Sequence, residues 1–159
     1  MLKTAVLCSI SIIIESAASS KPGIEWFKNL RQPKYSLPFS AWYIVGVFYY
    51  LICGIIAYRQ FHNSEDILTL PVILLALIMV INGLSNLILF KHRSLKMFFR
   101  TLYPFIALFM VLIVVLFQND RLSVGFACIY LLWLCYDIYY FQKLLQLNES
   151  GINETPNKN

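Results

Sequence analysis

Two carboxyl groups, Glu15 and Asp137, stand inside apolar runs of this sequence. A charge in such a run is costly unless it is paired, protonated or put to use. Asp137 has no opposite charge one turn away in its own run, which favours function over packing. Trp133 lies four residues earlier, deeper than an interfacial aromatic belt would place it, and packing and pocket lining have equal claim on it. Asn82 and Asn86 share one face of another run, where amides serve as bundle glue more often than as pocket lining. The chemistry open to such groups is recognition: aromatic faces stack on a flat apolar ligand and a few polar groups orient it. No phosphate loop, nucleophile elbow or metalloprotease pattern occurs, and His62 and His92 lie far from any cysteine cluster. Cys8, Cys53, Cys128 and Cys135 lie in apolar runs without metal-type spacing, so neither a zinc site nor a disulfide framework is expected.

The elements that must hold these residues follow from composition. Of 159 residues, 59% are hydrophobic and 13% charged, about half the charge of a soluble domain. A disordered chain, a nucleic-acid module and an ordinary soluble enzyme are thereby excluded. Charges punctuate long apolar runs: Tyr35 to Tyr58 and Ile67 to Phe90 hold 24 uncharged residues each, and Thr101 to Asn119 holds 19. Leu122 to Gln142 is interrupted only by Asp137. A helix crossing a bilayer needs about 20 such residues, and no strand-type alternation is visible. The fold class is therefore an all-α membrane protein, a five-transmembrane-helix bundle over residues 1–148, with spans near 4–20, 40–58, 67–90, 101–119 and 122–146. Residues 149–159 read as a disordered polar tail. The first span is the weakest: Lys3 ahead of it and Ala17 to Ser20 behind it fit a cleaved signal peptide as well as a retained helix.

Lys21, Lys28, Arg31 and Lys34 lie in one inter-span segment, Lys91, Arg93, Lys96 and Arg100 in another, and Lys143 and Lys158 at the C-terminal end. Only Lys3, Arg59 and Arg121 fall on the other side, so both basic segments and the C-terminus are expected in the cytosol. The sequons at Asn148 and Asn153 would then stay unglycosylated.

Several motifs go beyond a generic bundle. The segment Trp26-Phe-Lys-Asn-Leu30-Arg-Gln-Pro33-Lys-Tyr35-Ser-Leu-Pro38 resembles the first loop of the translocator protein family, also called tryptophan-rich sensory proteins or peripheral benzodiazepine receptors. The family pattern there is W-Y-x-x-L-x-K-P-x-W-x-P-P. Tyr50-Leu-Ile-Cys-Gly54 resembles its L-Y-x-x-M-G, and Ile81-Asn82 with Phe90 and Arg93 resembles its A-L-N…F-F-G-x-R. Tyr130-Leu-Leu-Trp133 resembles P-Y-L-A-W, and Leu147-Asn148 the terminal asparagine. The similarity covers roughly residues 4 to 148. Departures are plain: only Trp26, Trp42 and Trp133 remain, Gly46, Gly83 and Ser85 stand where tryptophans are usual, and Thr101 replaces an acidic residue.

The resemblance implies a retained first helix and a five-helix membrane protein, often dimeric, with a pocket inside the bundle closed by the first loop. It implies a binding or transport-type function toward a porphyrin, haem or a sterol, in the mitochondrial outer membrane of a eukaryote or another cell membrane otherwise. A porphyrin-degrading enzyme is the alternative, and an accessory protein with a degenerate pocket a third; the few tryptophans count against the enzyme. No nucleic acid is expected as partner, and no cofactor other than porphyrin or haem bound as ligand. Taking resemblance and residues together, the expected ligand-binding residues are Trp26, Pro33, Tyr35, Trp42, Tyr50, Asn82, Trp133, Asp137 and Tyr140. Pro33 and Pro38 stiffen the loop as a lid, whose Lys28, Arg31 and Lys34 either meet anionic propionates or simply obey the charge rule. Leu134 to Lys143 satisfies a loose cholesterol pattern, out of register with the family's own tyrosine. Finally, Glu15 and Asp137 differ in depth by roughly 6 Å at 1.5 Å per residue, so the two carboxyls could form a protonatable pair. The plainer expectation is that Glu15 snorkels to the interface and Asp137 bonds a neighbouring tyrosine.

Overall fold

The computed structural model describes residues 2–18, 20–64, 66 and 68–149; most of the expected tail, 150–159, lies outside them. Most of the described residues are helical, and none forms a strand: α1 (Leu2–Ala18), α2 (Lys21–Lys28), α3 (Phe39–Asn63), α4 (Leu70–Phe90), α5 (Leu95–Asn119) and α6 (Arg121–Glu149). The last four are long and apolar enough to cross a membrane. A fifth span exists if α1 and α2, bent by 69° at the break between them, count as one broken span. The chain is an integral, multi-pass membrane protein. Its lipid-facing belt is visible in the exposed apolar side chains that ring the bundle, such as Val114, Phe117, Ile129 and Leu132.

Three of the helices, α3, α5 and α6, are longer than their uncharged runs, whereas α4, at 21 residues, is shorter than its run because it starts only at Leu70. Helix α5 begins at Leu95 because the Ser94 hydroxyl accepts from the Met97 N–H at 3.4 Å. It then runs through Lys96 and Arg100, which are exposed near its end and whose stems can reach polar surroundings. The segment read as a loop after the first span is partly helix. Ser20 caps α2 through the Gly23 N–H at 3.3 Å, and Pro22 occupies its first turn, where a missing N–H costs nothing.

Packing closes a ring in the order α1, α4, α5, α6, α3 and back to α1, with α2 tucked against α4. Close approach depends on two glycines. A Cβ on Gly83 of α4 would stand 2.7 Å from Cγ2 of Ile14 on α1, and one on Gly23 would stand 2.0 Å from the Phe90 carbonyl oxygen. Helices α4 and α5 are joined by Ser85 Oγ and Thr101 Oγ1 at 2.8 Å, two of the positions at which the sequence departs from the family motifs. One apolar cluster around Ile56, Leu75, Ile78, Phe109 and Leu112 fills one half of the bundle. A second, around Phe27, Phe98, Tyr140 and Phe141, seats α2 and the loop behind it.

The charges sort to the two ends as their spacing requires. Lys3 stacks its ammonium over the Phe61 ring at 5.9 Å, and Arg59 grips Asp120 through two bonds of 2.7 and 2.8 Å. That end therefore holds Lys3, Arg59 and Arg121. At the opposite end Lys28 lies over Phe39 at 4.9 Å.

Candidate ligand cavity

Inside the ring lies a cavity of about 690 Å³, a size that suits a drug-sized molecule. Helix α3 contributes Trp42, Tyr49 and Tyr50, and α6 contributes Tyr130, Trp133 and Asp137. The aromatic wall is interlocked. Trp42 meets Trp133 edge to face at 5.3 Å and 79°, and Tyr49 leans on Tyr130 at 5.2 Å. Such contacts hold rings in fixed orientation and leave their other surfaces to the cavity. Ile24 and Phe27 of α2 reach the wall at one end, so α2 supplies the closure expected of the first loop. The exposed rim is apolar, made by Ile12 of α1 and by Tyr43, Val47 and Leu51 of α3.

The polar part of the wall is concentrated at α1 and α4. Tyr50 Oη donates to Glu15 Oε2, Asn86 Nδ2 donates to Glu15 Oε1 at 3.0 Å, and Asn82 Nδ2 reaches Oε2 at 3.5 Å. Ser11 Oγ lies 3.3 Å from Tyr50 Oη and donates to the Met79 carbonyl at 3.4 Å. Glu15 is thus tied into the bundle rather than snorkelling out. Both asparagines join helices and line the cavity at once, so the two roles weighed for them coincide. Asp137, only 9% exposed, also lines the cavity, and its Oδ1 has no hydrogen-bond partner among the described residues. The expected bond from Asp137 to a neighbouring tyrosine is not made at that oxygen.

Of the residues singled out in the sequence, Trp42, Tyr50, Asn82, Trp133 and Asp137 come together on the wall. Trp26, Pro33, Tyr35 and Tyr140 do not reach it, and their surroundings show why. Tyr140 is buried behind Trp42 at 4.9 Å, and its hydroxyl donates to Gln32 Oε1 at 2.7 Å. Tyr35 is 71% exposed, and its carbonyl accepts from Tyr136 Oη at 3.3 Å. Trp26, on α2, packs against the second apolar cluster, and the Pro33 carbonyl caps a turn at Ser36. The 29–38 loop is strapped to α6, for Asn148 also exchanges bonds of 3.1 Å with the Arg31 N–H and carbonyl. Sequence reasoning left Phe27, Tyr49, Phe105 and Tyr130 unassigned as lining residues. An apolar or aromatic side chain on a membrane helix carries no mark that separates lipid, core and cavity.

Outside the spans one ionisable group is strongly perturbed. The Arg59 guanidinium, with help from Ser123, holds the Asp120 carboxyl down at about 2. Asp120 also accepts from the Ser123 N–H at 3.3 Å and hydroxyl at 2.6 Å, and so caps α6.

A family model described as the TspO/MBR family matches residues 4–144, most of the chain. Comparison with curated proteins gives no match.

Proposed function

From the premise that the chain belongs to the TspO/MBR family, we propose that it is a binding or transport-type membrane protein whose cavity takes a flat apolar ligand, a sterol or a porphyrin such as haem. The observation that carries this reading is the aromatic cavity at the centre of the ring, walled by Trp42, Trp133, Tyr49 and Tyr130. Burial of an apolar ring system against such faces supplies most of the affinity, and a few polar groups fix its orientation. The apolar rim between α1 and α3 gives a lipid-dissolved molecule a lateral way in from the bilayer. A sterol, with one hydroxyl, can be wholly enclosed. A porphyrin would bring two propionates toward a wall that already carries the Glu15 and Asp137 carboxyls, with Lys28 of α2 the cation at the closed end. The same premise supports a homodimer and, in a eukaryote, the mitochondrial outer membrane, and the uneven distribution of Lys and Arg supports a cytosolic C-terminus. Titration of the purified protein with haem and with a fluorescent sterol tests the reading. Saturable quenching of tryptophan emission by either supports it, and a linear, unsaturable response to both overturns it.

A further inference from the structure

The walls of the cavity are unevenly charged. Two carboxyls, Glu15 and Asp137, line it, and among its described lining residues there is no lysine, arginine or histidine. The two are served differently. Glu15 accepts from the Tyr50 hydroxyl and from the Asn82 and Asn86 amides, an array that suits an acceptor-only carboxylate. Asp137 is nine-tenths buried, and its Oδ1 has no hydrogen-bond partner among the described residues. A buried acceptor left in this state costs free energy that an incoming donor recovers. Trp133 stands one turn before it on the same helix, and Trp42 meets Trp133 at 5.3 Å. Indole faces close to a carboxyl form a site that suits a cation.

We infer that the cavity takes an apolar ring ligand bearing a protonated amine, with the ammonium group at Asp137 and the rings against Trp42 and Trp133. This rests on the flat-ligand reading and narrows it to one chemical class. An ammonium donates to Oδ1, supplies the opposite charge that lets a buried carboxyl ionise, and meets the aromatic faces. A hydroxyl does only the first of these, and the described wall offers an anionic head no cation.

The test uses the full chain in nanodiscs of zwitterionic lipid, titrated with three steroids that share one ring system: a 3-dimethylamino, a 3-hydroxy and a 3-sulfate derivative. Tryptophan quenching gives the affinities. The expected order in the wild type is amine, then hydroxyl, then sulfate, with the amine favoured about tenfold or more. Asp137→Asn should bring the amine-to-hydroxyl ratio close to one. Membrane partitioning affects wild type and variant alike and cancels in that comparison. Equal binding of amine and hydroxyl steroids by the wild type, or tighter binding of the sulfate, overturns the amine inference and leaves the flat-ligand reading standing. Saturable binding of none of the three overturns both. If Asp137→Asn does not fold, Asp137→Leu, uncharged and close in volume, takes its place in the same comparison, and an amine-to-hydroxyl ratio that stays at the wild-type value in the variant overturns the inference.

Discussion

Trp133 and Asp137 stand one turn apart on α6, and each does something that its residue type alone would not specify. Trp133 is half-buried with one surface on the cavity, so its truncation removes ligand contact more than packing. Trp133→Ala should weaken ligand binding at least tenfold, while costing less stability than the roughly 3–5 kcal/mol of a fully packed tryptophan. Affinity and thermal unfolding measured on the same preparation check both halves. Asp137 was legible because a lone charge in an apolar run is conspicuous. Asp120 was not: it read only as punctuation between spans, although Asp-x-x-Ser at a helix start is the sign of a cap. Its carboxyl titrates at about 2 because Arg59 and Ser123 hold the charged form. A folded value below the usual carboxylate range means that this stabilisation is full above about pH 4 and is lost as the pH falls toward 2. Unfolding followed between pH 6 and 2 should show the wild type losing stability over that window. Asp120→Asn should start less stable and have a flatter acid limb, and parallel curves would contradict the assignment.

At the scale of elements, the helices behave as apolar cylinders whose starts follow local signals rather than charge: side-chain caps at α2, α5 and α6, and a proline before α3 and in the first turn of α4. Counting uncharged residues located α3 to α6 but trimmed α3, α5 and α6, because charged residues such as Lys96 and Arg100 continue a helix by reaching outward with their stems, and it overran the start of α4 by three residues. Helix α2 was invisible to that count: eight residues with Lys21 and Lys28 at either end look like a basic loop. The Ser20 cap and Pro22 are the local signals that identify it. Contact between α1 and α4 depends on Gly83, whose added Cβ would meet Ile14 at 2.7 Å, and a β-branched neighbour yields little. Gly83→Ala should cost about 1–3 kcal/mol through overpacking. Gly125 of α6, with nothing within 4 Å of an added Cβ, provides the control, and Gly125→Ala should be neutral or stabilising by about 0.5–1 kcal/mol. Unfolding of both variants in one detergent checks the contrast, and equal effects would contradict the α1–α4 contact.

At the scale of the molecule, the ring of helices segregates charge by end and leaves an aromatic cavity between. Family membership could be read from motifs such as Trp26…Pro33 and Tyr130…Trp133, although Trp26 packs against the second apolar cluster and Pro33 lies in a turn of the loop, both outside the wall. The cavity itself could not be read, since Phe105 facing it and Phe117 facing lipid are the same residue type on one helix. The proposed orientation predicts that single cysteines at Lys34 and Lys96 react only from the cytosolic side and one at Arg121 only from the opposite side; any exchange of sides would contradict it. The most direct test of the central claim is photolabelling in nanodiscs with a diazirine sterol, mapped by mass spectrometry with and without excess unlabelled sterol. The account predicts competable labels on the cavity wall, at Tyr50, Trp133 and Asp137 above all. Labels that are confined to lipid-facing residues such as Val114 and Leu132, and that excess sterol does not displace, would contradict it.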